Sequence, residues 1–204
     1  MKLILLVGGG GHCHSCIDVI EASGVYQIEG VIQPKKSFEL ISGYPIIGTD
    51  DDLPKIINDT KSALITVGQI KKSEIRIRLF NLLKELGANL PVIISPRAYC
   101  SKHAVVGEGS IIMHGAIVNA GARIGNNCIV NSQALVEHDV KIDDHCHIST
   151  GARVNGAVSI AKGSFVGSGS VIKEGIQVGE NVIIGAGQII LQDLPNGTVM
   201  KHTV

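Results

Sequence analysis

Residues 112–136 read IMHGAIVNAGARIGNNCIVNSQALV, and every sixth position among them is Val or Ile: Ile112, Val118, Ile124, Val130 and Val136. Followed outward, the series runs back to Val106 and forward through Ile142, Ile148, Val154, Ile160, Val166, Ile172, Val178 and Ile184 to Ile190, fifteen positions without a slip. Two residues before each sits a mostly small side chain, as at Ala104, Ser110, Ala116, Ala122, Cys128 and Ala134. The residue after it is often Gly, Asn or Asp. A helix repeats at 3.6 and a half-buried strand at two, whereas a sustained period of six marks a parallel β-helix. Each hexapeptide then forms one side of a triangular prism, with its β-branched residue in the bore and the small residue beside it. Three sides make one coil. About five coils, stacked at the strand spacing of roughly 4.8 Å, predict a column on the order of 25 Å long.

The chain has 204 residues, enough for one or two domains, with 18 basic and 18 acidic side chains. Balanced charge leaves no electrostatic footprint for nucleic acid or an anionic membrane, and with no Trp, three Tyr and three Phe there is little for bases to stack on. The apolar run Leu3–Val7 is shorter than a signal-peptide core and leads straight into Gly8–Gly11, so it reads as a buried strand. A cytoplasmic protein without a membrane span is expected. Five cysteines, an odd number, favour reduced thiols over a disulfide framework. Cys128 and Cys146 lie eighteen residues apart in the small-residue register and should stack in neighbouring coils as core residues.

Ahead of the repeats, Lys2–Val7, the four glycines and the helical pattern of Ile17 and Ile20 read as strand, glycine loop and helix, with a second strand at about residues 28–32. Such a loop offers backbone N–H groups at a helix N-terminus, which suits a phosphate. Two departures argue against a dinucleotide. The third fingerprint glycine is replaced by Cys13, and the second strand ends in Gln33-Pro34 where a ribose-binding acid would stand. The cluster His12-Cys13-His14-Ser15-Cys16 is not read as a metal site, because adjacent helical residues diverge and no second ligand cluster follows at zinc spacing. His12 is better explained as a hydrogen-bond donor to a phosphate. Thr49 should cap a short helix reaching about Asn58, residues 63–67 form a third strand, and residues 73–86 form a helix with Ile75, Leu79, Leu82, Leu83 and Leu86 on one face. Residues 92–94 read as the last strand of a small parallel, Rossmann-like sheet, with ligands at the carboxyl ends of its strands, where Gly8–His12 and Gly68 fall. The expected organisation is an α/β domain over residues 1–96 and a β-helix over 97–204.

Solenoid corners usually carry bland polar residues, so Glu137-His138-Asp139 and His145-Cys146-His147 stand out. A neutral imidazole, with a pKa of about 6.5, accepts a proton near neutral pH. The residues one coil below and above His138 are Ala120 and Gly156, which leave open space beside the ring. His147 has bulkier neighbours, Ile129 and Phe165. The two histidines are nine residues apart, half a coil, so within one prism they lie on opposite sides of the bore. Both reach one substrate only if a second copy of the chain supplies one of them, which predicts a homotrimer with active sites between protomers.

A small α/β domain opening with a glycine loop and His, followed by a hexapeptide β-helix containing Val136-Glu137-His138-Asp139, the run His145–Gly151 and Asn155-Gly156, resembles the PglD/NeuD family of sugar acetyltransferases. The resemblance covers essentially the whole chain and implies a left-handed coil. It implies that His138 is the general base, that Asp139 enhances its basicity and that His147 meets the acetyl group of acetyl-CoA. Gly156 would contact the cofactor through its backbone, with Ser168 and Ala186 as further cofactor contacts, and Gly10, Gly11, His12 and Gly68 would hold the nucleotide sugar. Where the family has an acidic pair after the second strand this chain has Gln33-Pro34. The expected reaction is N-acetylation of a UDP-linked amino-dideoxy sugar with acetyl-CoA and no metal. O-acetylation of a sialic-acid-type sugar and a non-catalytic nucleotide-sugar-binding scaffold are the alternatives.

Overall fold

The computed structural model describes residues 1–34, 40–70 and 72–200. At the centre of the amino-terminal sheet, β1 (Lys2–Val7) pairs in parallel with β2 (Tyr26–Ile32) on one side and with β5 (Ala63–Ile65) on the other. Along β1 the residues Ile4, Leu5, Leu6 and Val7 are all buried, covered on both faces as a parallel strand between helices requires. The helices are α1 (Gly11–Ser23), α2 (Leu53–Thr60) and α3 (Glu74–Glu85).

Three expectations are corrected here. The sheet is mixed: β4 (Tyr44–Gly48) adds in parallel beside β2, and β3 (Leu40–Ile41) closes the edge antiparallel to β4 through a turn at Ser42-Gly43. Ile93–Ile94 is no strand of that sheet; it pairs with Ile111–Ile112 as the first rung of the column. The reason is register, since Ile94 and Cys100 extend the six-residue series two steps back from Val106. On α3 the buried residues are Arg76, Leu79, Phe80 and Leu83, while Ile75 is exposed. The helix is rotated so that an arginine and a phenylalanine, rather than Ile75, meet the column.

In the repeats the strands are two residues long and recur every eighteen, as in Ile117↔Leu135, Leu135↔Arg153, Arg153↔Val171 and Val171↔Ile189. They stack into three parallel sheets of seven, six and five strands, the sides of a left-handed parallel β-helix. From Ile112 to Ile190 every residue of the six-residue series is buried in one continuous core. Cys128 and Cys146 are free and buried in that bore, each thiol 3.2 Å from a backbone carbonyl, of Asp143 and Ala161 respectively. Among the described residues no helix is long and apolar enough to cross a membrane.

The outward-facing residues distinguish the sides. One side presents the ladder Ile93, Ile111, Ile129, His147, Phe165, Ile183 and Val199. The α/β half covers its lower rungs: Cys13, Cys16, Ile17 and Ile20 of α1 share a core with Ile93, Ile111, Met113 and Ile129. Full burial of each such isoleucine contributes about 1.5–3 kcal/mol, so apolar contact drives the docking. Polar ties fix its register. His114 bridges Asp18 of α1 (2.7 Å) and Ser95 (2.6 Å), and Lys84 of α3 pairs with Glu108.

Candidate active site

A groove of ≈ 1510 Å³ runs along the junction of the two halves, lined by Gly8–His12, the segment after β5 from Val67 to Ile70, and the column's Asn131, His147, Ser149, Phe165, Ser168 and Ala186. The ends of β1 and β5 form its floor. They approach so closely that a Cβ on Gly8 (φ +119°) would lie 2.4 Å from Val67 Cγ2, so only glycine fits there. Gly10 is the N-cap of α1, which aims the free N–H groups of the first turn at the groove.

His12 follows directly. Its Nε2 is buried without a hydrogen-bond partner, a cost that a ligand in the groove would relieve. Burial, then the neighbouring Arg76 charge and His147, holds its pKa down to about 3. The ring is therefore neutral at physiological pH and meets a ligand by hydrogen bonding rather than by charge. Its centroid is 6.4 Å from that of His147.

His147 is the one polar member of its outward ladder, and it is buried (5 % exposed) beneath the α/β half. Its Nδ1 bonds the Gln69 carbonyl at 2.5 Å, its Nε2 lies 3.1 Å from Asn131 Nδ2, and Phe165 packs edge-on at 5.2 Å. Burial lowers its pKa to about 4, with the Gln69 carbonyl opposing and Arg76 reinforcing. Behind it lies a buried polar network. Arg76 donates to the carbonyls of Ile65 (3.0 Å), Val67 (2.7 Å) and Asn127 (3.1 Å) and to Asn127 Oδ1 (2.5 Å). Asn127 Nδ2 in turn lies 2.9 Å from His145 Nδ1, and His145 packs edge-on against Phe80. Burial pulls the Arg76 guanidinium down to about 10, which still leaves it charged.

His138 lies at the corner after Leu135–Val136, opposite the side that carries His147. It is exposed, and its Nδ1 is 3.0 Å from Asp139 Oδ2. A carboxylate accepts, so Nδ1 carries the proton and Nε2 is left as the acceptor. Asp139 adopts the left-handed conformation (φ 60°), which turns its carboxylate back to the ring. Asn119 donates to Glu137 Oε2 at 2.9 Å, and the backbone N–H of His138 donates to the same oxygen. Gly156 stacks over the ring from the next coil.

The family model described as the PglD N-terminal domain matches residues 3–83, and the bacterial transferase hexapeptide model (six repeats) matches residues 103–138. The acetyltransferase domain of PglB from Neisseria gonorrhoeae is 32% identical, with a TM-score of 0.90 over 98% of this chain and 96% of that one. The chain belongs to the PglD/NeuD-type family of sugar acetyltransferases. The same PglB domain has also been solved with acetyl coenzyme A. PerB from Caulobacter crescentus, in complex with CoA and GDP-perosamine, is 27% identical with a TM-score of 0.91, covering 98% of this chain and 93% of that one. No curated protein matches the chain by sequence.

Of the residues that resemblance to the PglD/NeuD-type family singled out, Gly10, Gly11, His12, Gly68, His147, Ser168 and Ala186 line one groove. His138, Asp139 and Gly156 gather at the opposite corner of the same column. Pro34 is part of the groove's lining, and the Gln33 amide abuts Gly9 of the glycine loop. Sequence reasoning missed Arg76, Asn127, Gln69 and Asn131. Arg76 had a signal, since it stands three, four and seven residues before the buried Leu79, Phe80 and Leu83. Asn127 and Asn131 had none, because Asn is an ordinary corner residue of the repeat.

Proposed function

We propose that the protein is a cytoplasmic enzyme that transfers the acetyl group of acetyl-CoA to the free amine of a nucleotide-linked amino sugar, a UDP-linked amino-dideoxy sugar first among them. The observation that carries this reading is the single groove joining the glycine loop to His147, Ser168 and Ala186. It supports residues 1–96 as the nucleotide-sugar half and 97–204 as the acyl-transfer half, with Ile93–Ile94 as the rung where the two meet. Gly10, Gly11 and Gly68 present backbone to the diphosphate and sugar, and His12 offers a neutral hydrogen-bonding ring.

Acetyl-CoA supplies an activated thioester. The amine nitrogen forms the new C–N bond as the C–S bond breaks, and His138 takes the amine proton at Nε2 and returns it to the departing thiolate. Asp139 holds the ring in the required tautomer. Gly156 offers backbone to the cofactor beside it.

Because His138 and His147 are on opposite sides of one column, the reading requires a homotrimer in which one protomer's His138 corner faces another's groove. A second surface supports this. The ladder Tyr99, Ile117, Leu135, Arg153, Val171 and Ile189 is largely apolar yet uncovered, with Tyr99, Ile117 and Ile189 at 59%, 40% and 69% exposed. The third side, with Arg123, Lys141, Ser159 and Gln177, is polar and suits solvent.

The deciding experiment is release of free CoA thiol from acetyl-CoA with a panel of UDP- and GDP-linked amino sugars and of hydroxyl acceptors. Turnover with a UDP-linked amine supports the full reading, and turnover only with GDP-linked amines replaces the nucleotide. Acetylation of hydroxyls alone gives the O-acetyltransferase. Binding without turnover leaves a scaffold.

A further inference from the structure

Gln69 belongs to the α/β half, yet its side chain is 2% exposed and reaches into the column. Its Nε2 donates to the carbonyl oxygens of His145 (2.9 Å) and Gly163 (3.3 Å), on consecutive coils. These two acceptors orient the amide, because an oxygen in that place would face two carbonyls. The backbone carbonyl of the same residue bonds His147 Nδ1 at 2.5 Å. A carbonyl only accepts, so the proton of the neutral ring is on Nδ1. On the other side Asn131 Nδ2 lies 3.1 Å from Nε2, and the Ser132 N–H donates to Asn131 Oδ1 at 2.8 Å, which orients that amide. An amide NH₂ only donates, so Nε2 accepts. Two separate hydrogen bonds define one tautomer.

We propose that Gln69 is a positioning residue for acyl transfer: its side chain fastens the segment after β5 to two coils, and its carbonyl holds His147 as the Nδ1–H tautomer. His147 then gives the acetyl site a fixed ring to pack against, with its Nδ1–H engaged by Gln69 and its Nε2 lone pair by Asn131, and no donor to the thioester oxygen. The proposal rests on the reading above for the word acyl alone; the tautomer does not depend on it.

The test is a long-range ¹H–¹⁵N correlation on protein labelled at histidine, with His147 assigned by loss of its signals in His147→Asn. Wild type should show Nδ1 protonated and Nε2 bare near pH 7.5. Gln69→Met keeps the bulk and removes both donors. It should give a mixed tautomer and a kcat lower by about 10- to 100-fold, as expected for a misplaced group. KM for the nucleotide sugar should change less than kcat, since Gly68 shifts with the released segment but Gly10, Gly11 and His12 keep their places. Should Gln69→Met not fold, Gln69→Glu keeps the shape and donates only when protonated, so it should show the same loss near neutral pH and regain the tautomer on acidification. A wild-type ring protonated on Nε2 overturns the proposal, as does a folded variant that keeps both tautomer and kcat. Failure to acetylate any sugar would overturn the functional reading and leave the NMR result standing.

Discussion

The imidazole of His138 lies so close under Gly156 that a Cβ on the glycine would be 2.7 Å from both Cε1 and Nε2. The glycine backbone is not in the left-handed region, so alanine is tolerated there by the chain and rejected only by the ring. Gly156→Ala should therefore fold normally and lose about tenfold or more in turnover, because the acceptor nitrogen is pushed off its line. Equal thermal midpoints with a reduced rate are the expected pair of results; an unchanged rate would show that the ring has no fixed place to hold.

His138→Ala should cost about 10²- to 10⁴-fold in turnover, the range for losing a general base. Asp139→Asn should cost less, since the amide can still face Nδ1 but no longer enforces its proton. Steady-state rates of CoA release check both, and a full rate in His138→Ala removes it from the mechanism.

Mixing His138→Ala with His147→Ala, each inactive alone, should restore activity after refolding together. With random assembly of trimers, roughly a quarter of the grooves would carry both native histidines. If each chain used only its own pair, every site would keep one lesion and no activity would return.

Arg76→Met should destabilise the protein by about 3 kcal/mol, because it leaves buried carbonyls and the Asn127 amide without a donor. Arg76→Lys should recover little, since an ammonium cannot span four acceptors set for a planar fork. As the residue touches both halves, urea unfolding of Arg76→Met should separate into two transitions where the wild type shows one.

Acid should weaken the fold earlier than carboxylates alone would. The folded pKa values of His147 (about 4) and His12 (about 3) lie below the ordinary 6.5, so the unfolded chain binds more protons as pH falls. Their contribution is complete above pH 6.5 and declines toward those folded values, with a slope for His147 approaching about 1.4 kcal/mol per pH unit. Burial also lowers the His145 pKa and adds in the same direction. Denaturation midpoints from pH 7.5 to 5 should fall in wild type and fall less steeply in His147→Asn.

The column was legible because its signal is a period, and a period survives any single exception; it even reached further than it was followed, through Cys100 to Ile94. The hairpin at Leu40–Gly48 was not, since its first strand is only two residues long and its pattern too brief to recur. The face of α3 was misread at Ile75 because apolar spacing ranked it above Arg76, whose burial depends on carbonyls supplied by other elements. Among the candidate site residues, the place of His138 at a corner between small neighbours in adjacent coils was legible. His147 was harder, as Ile129 and Phe165 argued for a crowded surface, and they do crowd it, under the docked half. The groove belongs to neither half alone and could be read only once they were together.

The unequal length of the three sheets has one more effect. A stack of coils ends in open backbone edges at top and bottom, and such edges recruit further strands. Here the lower edge is met by Ile93–Ile94 and by Leu90, whose carbonyl takes the Gly109 N–H at 2.9 Å. At the upper edge Leu194 bridges to Val178, Pro195 interrupts the repeat, and Val199–Met200 adds a rung on the covered side alone. Among the described residues, each end thus breaks the even stack of three sides that a further coil would have to match. In the trimer proposed above, copies meet at the flanks, where assembly closes into a ring instead of growing into a fibre.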